Sequence, residues 1–329
     1  MSLTISQAIE SYLENVSMAR SENTARTYRN GMAAFLQCMQ DKGVKTREAP
    51  IESFPEEASA WFLAALKVYS PATERLYLTA MVGFYEFLAA ERLATPNLPR
   101  LRLLIRQRAR RAGQRLPQFP RLAIEDVLDY ADSLASAASE TEEDHLRLLR
   151  DRAFLITLAD TGLRVHEICK LRRGDLDWNE GRAVIIGKGD KQAVVRFSSR
   201  SLQSLQEYLS ARARLDGASG KPASALPLFA RHDRGAGKKV KGITTATGRN
   251  IVSQRVREAI GERAGEVITP HSFRHYFVTT VLRGSGGNLR LAQELARHRN
   301  IQVTTRYAHL SDDELDKGYW EIFEQQDEK

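Results

Sequence analysis

Apolar residues return every three or four positions along most of this chain, a period that only helices can use to bury one face. Over residues 4–92 the pattern predicts helices at Ile5–Val16, Thr24–Met39, Ala58–Val68 and Thr73–Leu93, with Ser70 as an N-cap and Pro71 at the first helical position. One interruption breaks the period. The β-branched runs Ala183–Ile186 and Ala193–Phe197 flank Gly187-Lys188-Gly189-Asp190-Lys191, which predicts a short β-meander. Around it the helical period predicts Leu148–Ala159, stopped by Thr161-Gly162, then a helix opening at Glu167, then Leu202–Leu215, Asn250–Ala264, Ser272–Leu282, Leu289–Ala296 and Val303–Tyr307. A last amphipathic segment, Asp312–Phe323, carries Leu315, Tyr319, Trp320 and Phe323. The fold class is therefore mainly α: a helical bundle followed by a mostly helical unit with a small antiparallel sheet.

At 329 residues the chain is long enough for two cores. Between Arg100 and Arg121 stand eight arginines and no acidic residue, broken by Gly113, Pro117 and Pro120. That composition predicts an extended linker rather than a packed helix, and divides the chain into 1–99, a linker 100–121, and 122–329. A solvated connector and a strap tracking phosphates both fit the linker; its place between two domains of a basic chain favours the strap. The net charge of +8 points to a polyanionic partner. Cys38 and Cys169 form no C-x-x-C pair, so a reducing setting is expected and a cysteine zinc site is not. No apolar run approaches the roughly 20 residues that span a bilayer, so the expectation is a soluble, cytoplasmic protein without a membrane partner.

Three segments carry chemistry. In Thr269-Pro270-His271-Ser272-Phe273-Arg274, a capping threonine and a proline at the first position set His271 and Arg274 near a helix N-terminus, where free N–H groups favour an anion. A capped helix with a surface arginine explains that string equally well when it stands alone. In Thr161-Gly162-Leu163-Arg164-Val165-His166-Glu167, a glycine helix stop puts Arg164 at a bend with Glu167 close enough to orient it; a surface ion pair is the plainer reading. In the third segment His298 and Tyr307 are nine residues apart, roughly 13 Å on a straight helix, so a break at Arg299-Asn300 is needed to bring them to one phosphate.

In this order the segments resemble the tyrosine recombinase (phage integrase) family: an arginine box T-G-L-R-x-x-E, a hairpin lysine in G-K-G-x-K, H-x-x-R-H, a histidine, and a tyrosine nine residues later. Lys188 follows Arg164 by 24 positions, as in close family members. Ser21-Glu22-Asn23-Thr24 with Tyr28 and Phe35, and Ser70-Pro71-Ala72-Thr73 with Phe84-Tyr85 and Leu88, look like the family's helical core-binding domain. The resemblance implies a site-specific recombinase folded as a two-domain clamp on duplex DNA, acting as a tetramer on two duplexes through a Holliday junction, without metal, ATP or cofactor. The implied catalytic set is Arg164, Lys188, His271, Arg274, His298 and Tyr307, supported by Glu167 and His275. Expected DNA contacts are Thr24, Arg26 and Arg29 in the core-binding domain and, from charge, Arg106, Arg108, Arg110 and Arg111 in the linker and Lys238, Lys239 and Lys241 in a glycine-bearing loop that either touches DNA or is simply unstructured.

The residue types suit that chemistry. A free tyrosine has a pKa near 10, so about one molecule in a thousand is phenolate at neutral pH. Paired guanidiniums on the non-bridging oxygens would stabilise a pentacoordinate phosphorus and favour the ionised nucleophile. Lys188 is then the general acid for the leaving 5′ oxygen, His271 the acceptor of the tyrosine proton, and His298 a donor to the phosphate. One departure stands out: Arg297 occupies a position where the family usually has glycine. His166 also departs from the small or acidic residues common there, and is read as exposed. A zinc half-site at His271 and His275 lacks a third ligand and the H-E-x-x-H pattern. A type IB topoisomerase and a DNA-binding relative without activity are the alternative readings. The target site stays open, as does the choice among phage integration, transposon movement, dimer resolution and inversion.

Overall fold

A computed structural model describes residues 3–110, 121–186, 192–233, 240–261, 268–298 and 300–305. The chain forms two compact units, Met1–Arg115 and Leu116–Lys329.

The first unit is all helix: α1 Ile5–Ala19, α2 Glu22–Asp41, α3 Ala58–Ala65 running into a 3-10 turn at Leu66–Val68, α4 Pro71–Ala90 and α5 Leu98–Arg108. Its starts are fixed locally. Thr4 and Gln7 exchange side-chain and backbone hydrogen bonds at 2.9 and 3.2 Å, and the Ser70 hydroxyl accepts from the Thr73 N–H ahead of α4. Phe35 is the centre of the core, with Phe62 edge-on at 5.0 Å and Phe84 and Tyr85 around it. Helices α1 and α4 touch at Gly83, where a Cβ would lie 2.3 Å from the Tyr12 hydroxyl. That hydroxyl donates to the Ala80 carbonyl.

Helix α5 corrects the expected linker. Leu98, Leu101, Leu104 and Ile105 recur at helical spacing, Leu101 and Leu104 are buried, and the Asn97 side chain caps the start. The arginines of this stretch occupy the remaining, outward positions: Arg102, Arg106 and Arg108 are exposed. Arg110, just past the helix, turns back. Its guanidinium binds the buried Glu74 carboxylate and the carbonyls of Leu66 and Tyr69, and Lys67 reaches Glu74 at 2.8 Å. Burial would raise the Glu74 pKa, but the hydrogen bonds from Lys67 and Arg110 outweigh it and hold the carboxyl at about 2.

The second unit is built on α7 (Glu142–Thr161), buried continuously from Ala153 to Ala159. Helix α6 (Arg121–Ser133) packs on it. Beyond α7 come a four-residue helix α8 (Val165–Ile168) and an antiparallel sheet in the order β1 (Leu176–Asp177), β2 (Arg182–Ile186), β3 (Gln192–Arg196). Val184 pairs with Val194, and β2 alternates, with Ala183 and Ile185 inward. β1 has no counterpart in the sequence reading, because two residues show no period. The loop at 187–191, with Lys188, lies outside the described residues.

The expected helix Leu202–Leu215 is two, α9 (Ser199–Ala211) and α10 (Ala213–Gly217). At the junction Arg212 is fully buried and donates to both Asp216 carboxylate oxygens, the Tyr208 hydroxyl and the carbonyls of Pro227 and Leu228. Then follow α11 (Thr245–Ile260), α12 (Pro270–Gly284), α13 (Leu289–Ala296) and α14 (Ile301–Thr305). Helix α12 packs on both α7 and α13. The amphipathic segment Asp312–Phe323 lies outside the described residues, and none of the described helices is long and apolar enough to cross a membrane. Cys38 and Cys169 are both buried as free thiols.

Candidate active site

Three chain reversals meet in the second unit. The first ends α7 at Gly162, in the left-handed region at φ 58°. A side chain there would also strike Phe277, whose Cδ1 is 2.4 Å from the position of a Cβ. The chain then extends through Arg164, whose backbone N–H donates to Glu167 Oε2 at 2.8 Å and whose Nη1 donates to Oε1 at 2.9 Å. The carboxylate is 3% exposed and the Arg164 side chain 44%, so Glu167 is the fixed anchor and Arg164 the arm that faces outward.

The second reversal starts α12. Ser272 Oγ accepts from the Thr269 N–H at 3.1 Å and Pro270 opens the helix. One turn on, Arg274 is 2% exposed. Its Nη1 donates to the Gly162 carbonyl and its Nη2 to the Ala296 carbonyl. One guanidinium thus ties together the end of α7, the start of α12 and the end of α13.

The third reversal is the break between α13 and α14. It starts at Arg297, two residues ahead of the expected Arg299-Asn300, because Arg297 itself takes the left-handed conformation (φ 56°, ψ 43°). That conformation costs an L-residue about 1 kcal/mol. Only Arg92 shares a positive φ among the described non-glycine residues. The Arg297 side chain, 12% exposed, turns inward and puts Nη2 3.2 Å from Glu167 Oε2 and 3.4 Å from the Gly162 carbonyl. His298 follows, its Nδ1 2.9 Å from the hydroxyl of the buried Thr304 on α14.

The arrangement has relatives. The phage integrase family profile matches residues 113–314, and the profile of the phage integrase N-terminal SAM-like domain matches residues 9–92. The chain belongs to the phage integrase family, DNA strand transferases of the tyrosine recombinase type. It is similar to tyrosine recombinase XerC of Pelobacter propionicus, at 36% identity over 194 residues, 58% of each chain. It is also similar to tyrosine recombinase XerD of Brucella melitensis, at 27% over 325 residues, 96% of this chain and 97% of that one. Among solved structures, the Tn1549 transposon integrase in complex with a circular intermediate DNA shares the fold, with a TM-score of 0.65 over 98% of this chain and 100% of that one at 18% identity.

In this member of the family, the electrostatics follow from burial beside guanidiniums. The rings of His271 and His275, a helical turn apart, meet edge to face at 4.4 Å. Burial, with Arg274 and Arg164 nearby, lowers the His271 pKa; burial and the same two arginines bring His298 to about 4. His275 also falls to about 4, through burial, His271 and Arg274. All three are neutral at pH 7. Burial would raise the Glu167 carboxyl, but the Arg164 N–H and the guanidiniums of Arg297 and Arg164 hold it below its ordinary value, so it stays ionised. Desolvation lowers Arg297 in turn, partly offset by Glu167. Arg164 and Arg297 thus share one carboxylate while Arg274 is held by the Gly162 and Ala296 carbonyls, an excess of positive charge suited to an anion.

Of the sequence-predicted residues, Arg164, Glu167, His271, Arg274, His275 and His298 come together here. Lys188 and Tyr307 lie outside the described residues, as do Arg111, Lys238 and Lys239. His166 is exposed, and no group of residues able to hold a metal ion occurs among the described residues. In the first unit, Thr24 bonds the Ser21 hydroxyl at the start of α2, Arg26 binds Asn23, and Arg29 is exposed. Arg106, Arg108 and Lys241 are exposed too, whereas Arg110 is engaged with Glu74. Two participants were missed: Thr304, which orients His298, and the Gly162 carbonyl, shared by two guanidiniums. Thr304 stands six residues after the histidine, visible only once the break between helices is known.

Proposed function

We propose that this chain is a site-specific DNA recombinase that cuts and rejoins duplex DNA through a 3′-phosphotyrosine on Tyr307, passing through a Holliday junction in a tetramer on two duplexes. The observation that carries the reading is the coupling of Arg164 and Arg274 through Gly162 and Glu167: two guanidiniums from distant segments sharing one corner of the fold. They take the two non-bridging oxygens of the scissile phosphate. The Tyr307 oxygen attacks phosphorus, its proton passes to His271, and the P–O bond to the 5′ oxygen breaks as Lys188 delivers a proton to that oxygen. The phosphodiester energy is kept in the tyrosyl ester, so a second 5′ hydroxyl can reverse the steps. With Thr304 donating to Nδ1, a neutral His298 carries its proton on Nε2, the nitrogen assigned the role of donor to the phosphate.

The test is to sequence DNA trapped covalently on the protein, then compare strand exchange between two copies of that site with relaxation of a plasmid lacking it. Exchange supports the recombinase; relaxation without exchange points to the topoisomerase alternative. A pH profile tests the proton acceptor. His271 accepts only when neutral, and its pKa lies below its ordinary 6.5, so single-turnover adduct formation should be level through neutrality and fall only below pH 6.5. A decline that starts above neutrality would remove His271 from that role.

The two kinds of arginine in the basic stretch separate in a salt titration. Arg106→Ala, on the exposed face, should lower the slope of log affinity against log salt by about 0.9 and leave melting unchanged. Arg110→Ala should do the reverse: the slope stays, and the first unit melts earlier because Glu74 loses its guanidinium.

A further inference from the structure

Arg297 combines features that the fold alone does not require. It holds a left-handed backbone that glycine would adopt without strain, and it directs a long cationic side chain inward. Nη2 has acceptors in Glu167 and the Gly162 carbonyl. Nε and Nη1 are buried and have no acceptor among the described residues. Buried donors left empty destabilise a fold, and at a functional site they mark the place of a ligand. The acceptors on Nη2 are informative as well. Glu167 is the carboxylate that holds Arg164, and the Gly162 carbonyl is the one that holds Arg274. Arg297 is thus tied to the same two anchors as the guanidiniums assigned to the scissile phosphate.

We propose that Arg297 is a third guanidinium of the phosphodiester site, and that its Nε–H and Nη1–H, which have no acceptor among the described residues, donate to oxygens of the DNA backbone. The proposal rests on the recombinase reading of the site. Because Nε–H and Nη1–H leave different edges of the guanidinium, it predicts two divergent donors to separate backbone oxygens, which the point charge of a lysine cannot reproduce. The left-handed turn is what aims that guanidinium, since a right-handed Arg297 would continue α13.

The test uses the full chain with Arg297→Gly, which suits the backbone, and Arg297→Lys, which keeps the charge but loses the divergent guanidinium donors. In a Tyr307→Phe background, binding to a short duplex of mixed sequence is titrated with salt. Arg297→Gly should lower the slope of log affinity against log salt by about 0.9, and Arg297→Lys should keep it. With Tyr307 present, both variants should form adduct about a hundred- to thousandfold more slowly, the usual effect of losing one preorganised donor. Arg297→Gly should melt no earlier than the parent. An unchanged slope overturns the proposal, whether adduct formation slows or not: slower adduct at constant slope makes Arg297 a brace for Glu167, and earlier melting at constant slope makes it structural. If the parent chain itself forms no adduct, the tyrosine chemistry fails, while the salt slope still reports on Arg297.

Discussion

Tyr307→Phe is expected to abolish the covalent DNA adduct while changing duplex affinity by less than about threefold, since affinity of this kind comes mainly from Lys and Arg on phosphates. The substitution removes one oxygen and keeps the ring, so it takes away the nucleophile and little else. The loss should be complete rather than partial. The two guanidiniums, even when intact, stabilise charge only on a phosphorus that a nucleophile has reached, and the phenylalanine ring has no lone pair to offer. Water could attack in its place, but its product is a nicked strand, not a protein–DNA link, so denaturing electrophoresis with labelled DNA separates the outcomes. An adduct formed by the variant would mean that another hydroxyl is the nucleophile. Tyr276 on α12 and Tyr319 are then the next to replace.

The parts of this fold that were legible in the sequence share a physical reason: they depend on spacing. Helices α1, α2, α4 and α13 bury one face each, and their periods mark them within a few residues. The hairpin was legible because β-branched runs flank a glycine-bearing turn. Helix α5 was misread because charge density drew more weight than the leucine period beneath it, although a helix can carry arginines on one side and leucines on the other. Arg110 looked like its neighbours and is not, because its partner Glu74 lies 36 residues earlier and no local pattern links them. In the site, Arg164, Glu167, His271, Arg274 and His298 could be named from motifs, since motifs record residue types at fixed intervals. The left-handed turn at Arg297 left only an indirect mark, a position where the family usually has glycine, because a backbone angle leaves none on an arginine itself. The two carbonyls that hold Arg274 were invisible; every residue has one.

Those carbonyls make Arg274→Lys the more informative of the two arginine replacements. A lysine can reach one acceptor as a point charge but cannot bridge Gly162 and Ala296 while also presenting a fork to phosphate. Adduct formation should fall by about a hundred- to thousandfold, the usual effect of one lost preorganised donor. The variant should also be less stable, because a buried carbonyl without its donor costs about 1–3 kcal/mol. For a unit of this size that lowers the melting midpoint by roughly 2–12 °C. Arg164→Lys provides the contrast. Its side chain is nearly half exposed, and Glu167 would keep both the Arg297 contact and the backbone N–H of residue 164. It should lose a similar factor in rate with no measurable change in melting. Equal melting in both variants would mean that the two carbonyl contacts do not stabilise the fold. The corner between α7, α12 and α13 would then need a different explanation for its geometry.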